Sequence, residues 1–191
     1  DSKTDFSAQI SAAKNAGADL VFLPIYYQQA SLILTQCKSA NYNPTFFGCD
    51  GLDGLLSIKN FDTSLCEGVM LLTPFAADAQ DQATQDFVKK YKDAYKGETP
   101  NQFAADAYDG VMVLAELMKK EGITADMSAS DICDKLKKAI SDKDFSYDGL
   151  TGTGMKWGED GAVSKDPKAV IIKNGAYSAL TADDIAASTA Q

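Results

Sequence analysis

Between Asp19 and Gly51 the sequence lays out two βα units in succession, and no other stretch restricts the fold as tightly. Asp19-Leu-Val-Phe-Leu-Pro-Ile-Tyr-Tyr27 is an apolar run closed by an aromatic pair. Ala30, Leu32, Ile33, Leu34 and Cys37 then mark an amphipathic helix reaching about Ala40, and Pro44-Thr-Phe-Phe-Gly-Cys-Asp-Gly51 is a second apolar run that ends in an acid between glycines. Leu20 to Leu23 is too short for a helix and apolar at every position, which predicts a strand buried on both faces inside a parallel sheet; Pro24 ends its pairing. Strands alternating with helices imply the α/β class. In such sheets ligands bind beyond the carboxyl ends of the strands, where Tyr26 follows the first strand and Asp50 the second.

Charge and residue usage narrow the chemistry. A formal net charge of -9 repels phosphate backbones and anionic lipid, so nucleic acid is not an expected partner. No stretch approaches the roughly 20 apolar residues that a membrane span needs. The chain has no histidine, which removes the commonest general base, the usual partner of a Ser or Cys nucleophile and the commonest metal ligand. There is no P-loop or dinucleotide fingerprint, and neither a metal nor a cofactor is expected. Cys37, Cys49, Cys66 and Cys133 lack metal-site spacing and read as small hydrophobes, with Cys49 and Cys66 the candidate pair for any bridge. The polar opening Asp1 to Asp5 already resembles a helix cap, which implies a segment upstream.

Along the rest of the chain, Phe6, Ile10, Ala13 and Ala16 predict a first helix from Asp5 to about Ala16, stopped by Gly17. Gly51 to Ile58 reads as a short helix that Asp53 could cap, and Glu67 to Pro74 as a third strand. Helices alone follow, over about Asp81 to Tyr95, Gln102 to Lys120 and Ser128 to Ile140, so a domain boundary is expected near Pro74. The long helix is apolar along Phe103, Ala107, Val111, Leu114 and Met118, a stripe that something must cover. Tyr108 and Asp109 on it read as a core aromatic and an exposed charge. The tail predicts strands over Gly149 to Trp157 and Ala169 to Lys173, a hairpin turn at Asn174-Gly175, and a capped helical turn at Thr181 to Ile185.

If the first two strands are neighbours, about 4.8 Å apart, Tyr26 and Asp50 reach one small ligand. The ring offers an apolar or cation–π wall and the carboxylate a counter-charge, a pairing suited to a molecule bearing an amine. The same residues also allow a plain packing aromatic and a turn-forming acid.

Five segments together, Asp5-Phe-Ser-Ala-Gln-Ile10, Gly17-Ala-Asp-Leu-Val-Phe-Leu-Pro24-Ile-Tyr-Tyr27, Gly48-Cys-Asp-Gly51, Glu67-Gly-Val69 and Ala105-Asp-Ala-Tyr-Asp-Gly110, resemble the type I periplasmic binding proteins of amino-acid ABC importers, the leucine/isoleucine/valine-binding group. The resemblance implies an α/β fold of two lobes with parallel sheets, of which this chain is an incomplete carboxyl-terminal portion. Residues 1–74 correspond to second-lobe βα units, 75–167 to first-lobe helices and a hairpin, and 168–191 to the return into the second lobe. It implies an extracytoplasmic solute-binding protein, not an enzyme. Such a protein captures an amino acid between its lobes and delivers it to an ABC permease, with a lipid anchor on the absent amino-terminal half as a possible membrane contact. Tyr26 matches the family's tyrosine beside the ligand, Asp50 the acid that holds the α-ammonium, and Phe103 an aromatic near the cleft. The family often has Glu at the position of Asp50 and Tyr at that of Phe103. Two alternatives stay open: a ligand-sensing receptor ectodomain of the same fold, and an α/β enzyme that uses Asp50 as a base.

Overall fold

A computed structural model describes residues 3–189, so Asp1 and Ser2 of the polar opening lie outside the described residues. The chain divides into two compact units, one formed by Asp1–Asp78 with Pro167–Gln191 and the other by Ala79–Asp166.

The first unit is built on a five-stranded sheet in the order β1-β2-β3-β4-β5, with β1 at Leu20–Leu23, β2 at Thr45–Gly48, β3 at Met70–Thr73, β4 at Lys168–Lys173 and β5 at Ala176–Ala179. β1, β2 and β3 run parallel, and β4 and β5 join antiparallel. The parallel part needs crossovers, and α2 (Tyr27–Ser39) supplies the first. One sheet face, through Leu23, Phe46, Leu71, Val170 and Ile172, shares a core with Ala30, Ile33, Leu34 and Cys37 of α2 and with Ile10 of α1 (Ser7–Asn15).

The opposite face of β1 is open. Leu20 and Phe22 are 53% and 52% exposed, and Phe22 stacks on Phe47 at 5.8 Å. The expectation of a strand buried on both faces is thus corrected: one face of β1 is exposed, and among the described residues β1 stands at the edge of the sheet. An unbroken apolar run gives no sign of whether a further strand and its helix flank it. The expected short helix after β2 is also two separate 3-10 turns, Asp50–Leu52 and Leu55–Ser57, because Gly54 between them takes φ +124°. A third 3-10 turn, Thr63–Cys66, precedes β3. The β4–β5 hairpin turns through Asn174 and Gly175 at φ 52° and 73°, as a two-residue Asn-Gly turn requires. α6 (Ala182–Thr189) follows it.

The second unit contains α3 (Gln82–Ala94), α4 (Gln102–Lys120) and α5 (Ala129–Ile140). Asp81, Asn101 and Ser128 cap them through their side chains. Val113 and Leu117 of α4 pack with Ala139 and Phe145, and Trp157 lies 6.0 Å from the Phe145 ring. The predicted strand over Gly149 to Trp157 is reduced to isolated bridges, Tyr147 with Met155 and Trp157 with Val163. Asp109 draws the intervening backbone into a turn. Its Oδ1 accepts from the N–H of Leu150 (2.9 Å), and its Oδ2 from the N–H and Oγ1 of Thr151 (2.8 and 2.7 Å). Asp109 is therefore buried and Tyr108 exposed, the reverse of the sequence expectation.

The four cysteines are free: Cys37 and Cys66 are buried, Cys49 is half-buried and Cys133 is exposed. Burial pushes the Cys66 thiol up to about 12. Among the described residues no helix is long and apolar enough to cross a membrane.

Candidate functional site

Pairing of β1 with β2 in the register Leu23 to Gly48 brings the carboxyl ends of both strands to one rim. From β1 the chain leaves through Pro24, which has no N–H to continue the ladder, and Ile25. Tyr26 is the residue before α2, extended at φ -82° and ψ 157°, and its carbonyl accepts the helix's first bond from the N–H of Ala30 (3.1 Å). Its side chain is 63% exposed. From β2 the chain leaves through Cys49 into the 3-10 turn that Asp50 opens. Asp50 is exposed, and its Oδ1 accepts from the N–H of Gly51 (3.0 Å).

The two loops lie against each other. A Cβ on Gly51 would stand 2.6 Å from the Ile25 carbonyl oxygen and 3.5 Å from the Cα of Tyr26. Tyr26 and Asp50 therefore stand on one rim, in loops that approach each other where Gly51 lies against Ile25 and the Tyr26 backbone. An exposed aromatic and an exposed carboxylate on one rim are groups of the kind that hold a cationic group on a small apolar body. Phe103, the third expected site residue, belongs to the other unit, where it lies in the first turn of α4 and is partly exposed.

Beneath the rim lies a buried layer that sequence reasoning did not identify. Asp53 is 5% exposed. Tyr177 on β5 accepts from the N–H of Gly54 (3.2 Å), and burial, aided by the nearby Asp53 charge, raises its phenol well above the ordinary range. Gly54 meets the ring of Tyr27, which packs on the core. The hairpin signal at Asn174-Gly175 was the available clue to Tyr177, since it places that residue on a strand; its partner lies 123 positions away and left no local trace. A separate cavity of about 460 Å³, with Leu34, Cys37, Tyr42, Phe46 and Leu65 in its lining, holds none of the expected site residues.

Comparison with known proteins places this geometry in context. The periplasmic binding protein family profile matches residues 1–176. A leucine-, isoleucine-, valine-, threonine- and alanine-binding protein of Pseudomonas aeruginosa is 31% identical over 119 residues, which are 62% of this chain and 31% of that protein. The crystal structure of a leucine-binding protein from Thermotoga maritima superposes with a TM-score of 0.74 at 25% identity, covering 96% of this chain and 50% of that one. A branched-chain amino acid transporter substrate-binding protein from Streptococcus pneumoniae, solved in complex with isoleucine, shares the fold with a TM-score of 0.75 at 23% identity, over 93% of this chain and 48% of that one. The chain thus spans about half the length of these solved proteins, and a smaller share of the curated relative.

Proposed function

Because the chain belongs to the periplasmic binding protein family, we propose that it is part of an extracytoplasmic solute-binding protein that captures an amino acid, branched-chain or related, for an ABC importer. The observation that carries this reading is the rim on which Tyr26 and Asp50 follow the ends of neighbouring parallel strands, with Gly51 packed against the loop of Tyr26. On this reading the Asp50 carboxylate holds the α-ammonium by a charge-assisted hydrogen bond, and the Tyr26 ring walls the side chain. Phe103, in the first turn of α4, is the third residue proposed as a ligand contact. Residues 1–74 and 168–191 act as one jaw, and residues 75–167 supply helices of the other. Ligand bridging two jaws favours the closed state by its differential affinity for it, and a permease reads that closure. The relatives are binding proteins by name, which supports a non-catalytic role.

Calorimetric titration of the intact protein with amino acids tests this reading, with Tyr26→Ala and Asp50→Ala alongside. Each variant should weaken binding of the tightest amino acid at least about tenfold, Asp50→Ala by removing a bond to a charged group and Tyr26→Ala by removing apolar burial of the ligand side chain. Equal binding by wild type and both variants would refute the assignment.

A further inference from the structure

Gly51 lies between the two loops that carry the candidate pair. Its N–H donates to Oδ1 of Asp50 and so orients the carboxylate. On its other side it lies against the peptide between Ile25 and Tyr26, where a Cβ would meet the Ile25 oxygen at 2.6 Å and its carbon at 3.1 Å. The obstacle is backbone, which cannot rotate aside as a side chain would. Gly51 has no left-handed φ to require glycine, so space alone demands it here. Gly54 differs, since its φ of +124° serves the turn itself.

We infer that Gly51 is a positioning residue that sets the spacing between the Tyr26 ring and the Asp50 carboxylate, and with it the width of the seat for an ammonium-bearing ligand. This rests on the reading of those two residues as ligand contacts. A methyl group at position 51 drives the loop after β1 away from the loop after β2 until the contact with the Ile25 oxygen relaxes. Tyr26 moves with its backbone, while Asp50 stays bonded to the N–H of residue 51. Hydrogen bonds weaken steeply with distance and angle, so a seat opened in this way loses the ammonium before it loses the apolar contact.

The experiment is calorimetry on the intact protein, first against the twenty common L-amino acids to find the tightest, then with that probe on Gly51→Ala, Tyr26→Ala, Asp50→Ala, Tyr26→Ala/Gly51→Ala and Asp50→Glu/Gly51→Ala. Gly51→Ala should bind about 10- to 100-fold more weakly, the scale on which displacements near 1 Å act, with an unchanged far-ultraviolet spectrum. In the Tyr26→Ala background the same change should cost less than about twofold, because the spacing it disturbs no longer matters. The longer Asp50→Glu side chain should restore part of the affinity lost in Gly51→Ala. Wild-type binding by Gly51→Ala, an equal cost with and without Tyr26, or a Gly51→Ala protein that does not fold would overturn the positioning role. If Tyr26→Ala and Asp50→Ala have nevertheless lost binding, the ligand assignment stands. If both bind like wild type, or if no amino acid binds the wild type, that assignment falls and this inference falls with it.

Discussion

The carboxylate of Asp109 holds the turn from Gly149 to Gly152 against α4, and it is buried with all three of its bonds made to Leu150 and Thr151. Asp109→Ala removes the acceptor and leaves two backbone donors enclosed, which should cost about 3 kcal/mol. Asp109→Asn keeps one acceptor oxygen and should cost less. Thr151→Val loses a single hydroxyl bond, about 1 kcal/mol. Urea denaturation reads all three, and an unchanged midpoint in Asp109→Ala would show that the clamp contributes nothing. Helical periodicity alone assigned Asp109 to the solvent side, because the residues that bury it lie 41 and 42 positions away. The rim placement of Tyr26 and Asp50 was legible for the opposite reason. Each stands directly after an apolar run, where strand geometry fixes which rim a residue occupies.

At the scale of elements, α6 is fastened to the hairpin by one acid. Asp184 and Thr181 cap the helix reciprocally: the Asp184 N–H donates to Thr181 Oγ1, while Asp184 Oδ2 accepts from the N–H and hydroxyl of Thr181. Lys173 of β4 donates to the other carboxylate oxygen. These bonds, that of Lys173 first, hold the Asp184 carboxyl down at about 2. A depressed folded-state value means that the contribution is complete above the ordinary carboxylate range and is lost as protons bind. Wild type should therefore lose stability as pH falls from about 4 to about 2, and Asp184→Asn should lack this part of the dependence. Thermal melts across that window measure it, and superimposable pH profiles for the two proteins would be the contrary result. The cap at Thr181, the Asn174-Gly175 turn and the span of α4 were all legible, since caps, tight turns and long periodic helices are specified by nearby residues. The edge position of β1 and the missing strand after Gly149 were not. Both depend on what stands beside the segment, and the segment itself does not encode its neighbours.

At the scale of the molecule, the two units leave different apolar faces uncovered among the described residues. α4 buries Ala105, Asp109, Val113 and Leu117, yet Phe103, Val111, Leu114 and Met118 on another side remain exposed, Val111 by 65%. β1 adds Leu20 and Phe22. The sequence announced the problem, because helices without strands of their own presented an apolar stripe; only the structure shows that the stripe stays open. Burying such side chains is worth about 1.5–3 kcal/mol each when complete, so a cluster of them in water drives association. The 191-residue polypeptide alone should accordingly form dimers or larger species at micromolar concentration. Val111→Glu/Leu114→Glu should return it to monomer without loss of helix content, since both positions face solvent. Light scattering over a concentration series decides the matter. A wild-type chain that remains monomeric at about 100 µM would mean that these faces are too dispersed to act as one surface, and the double variant would then change nothing.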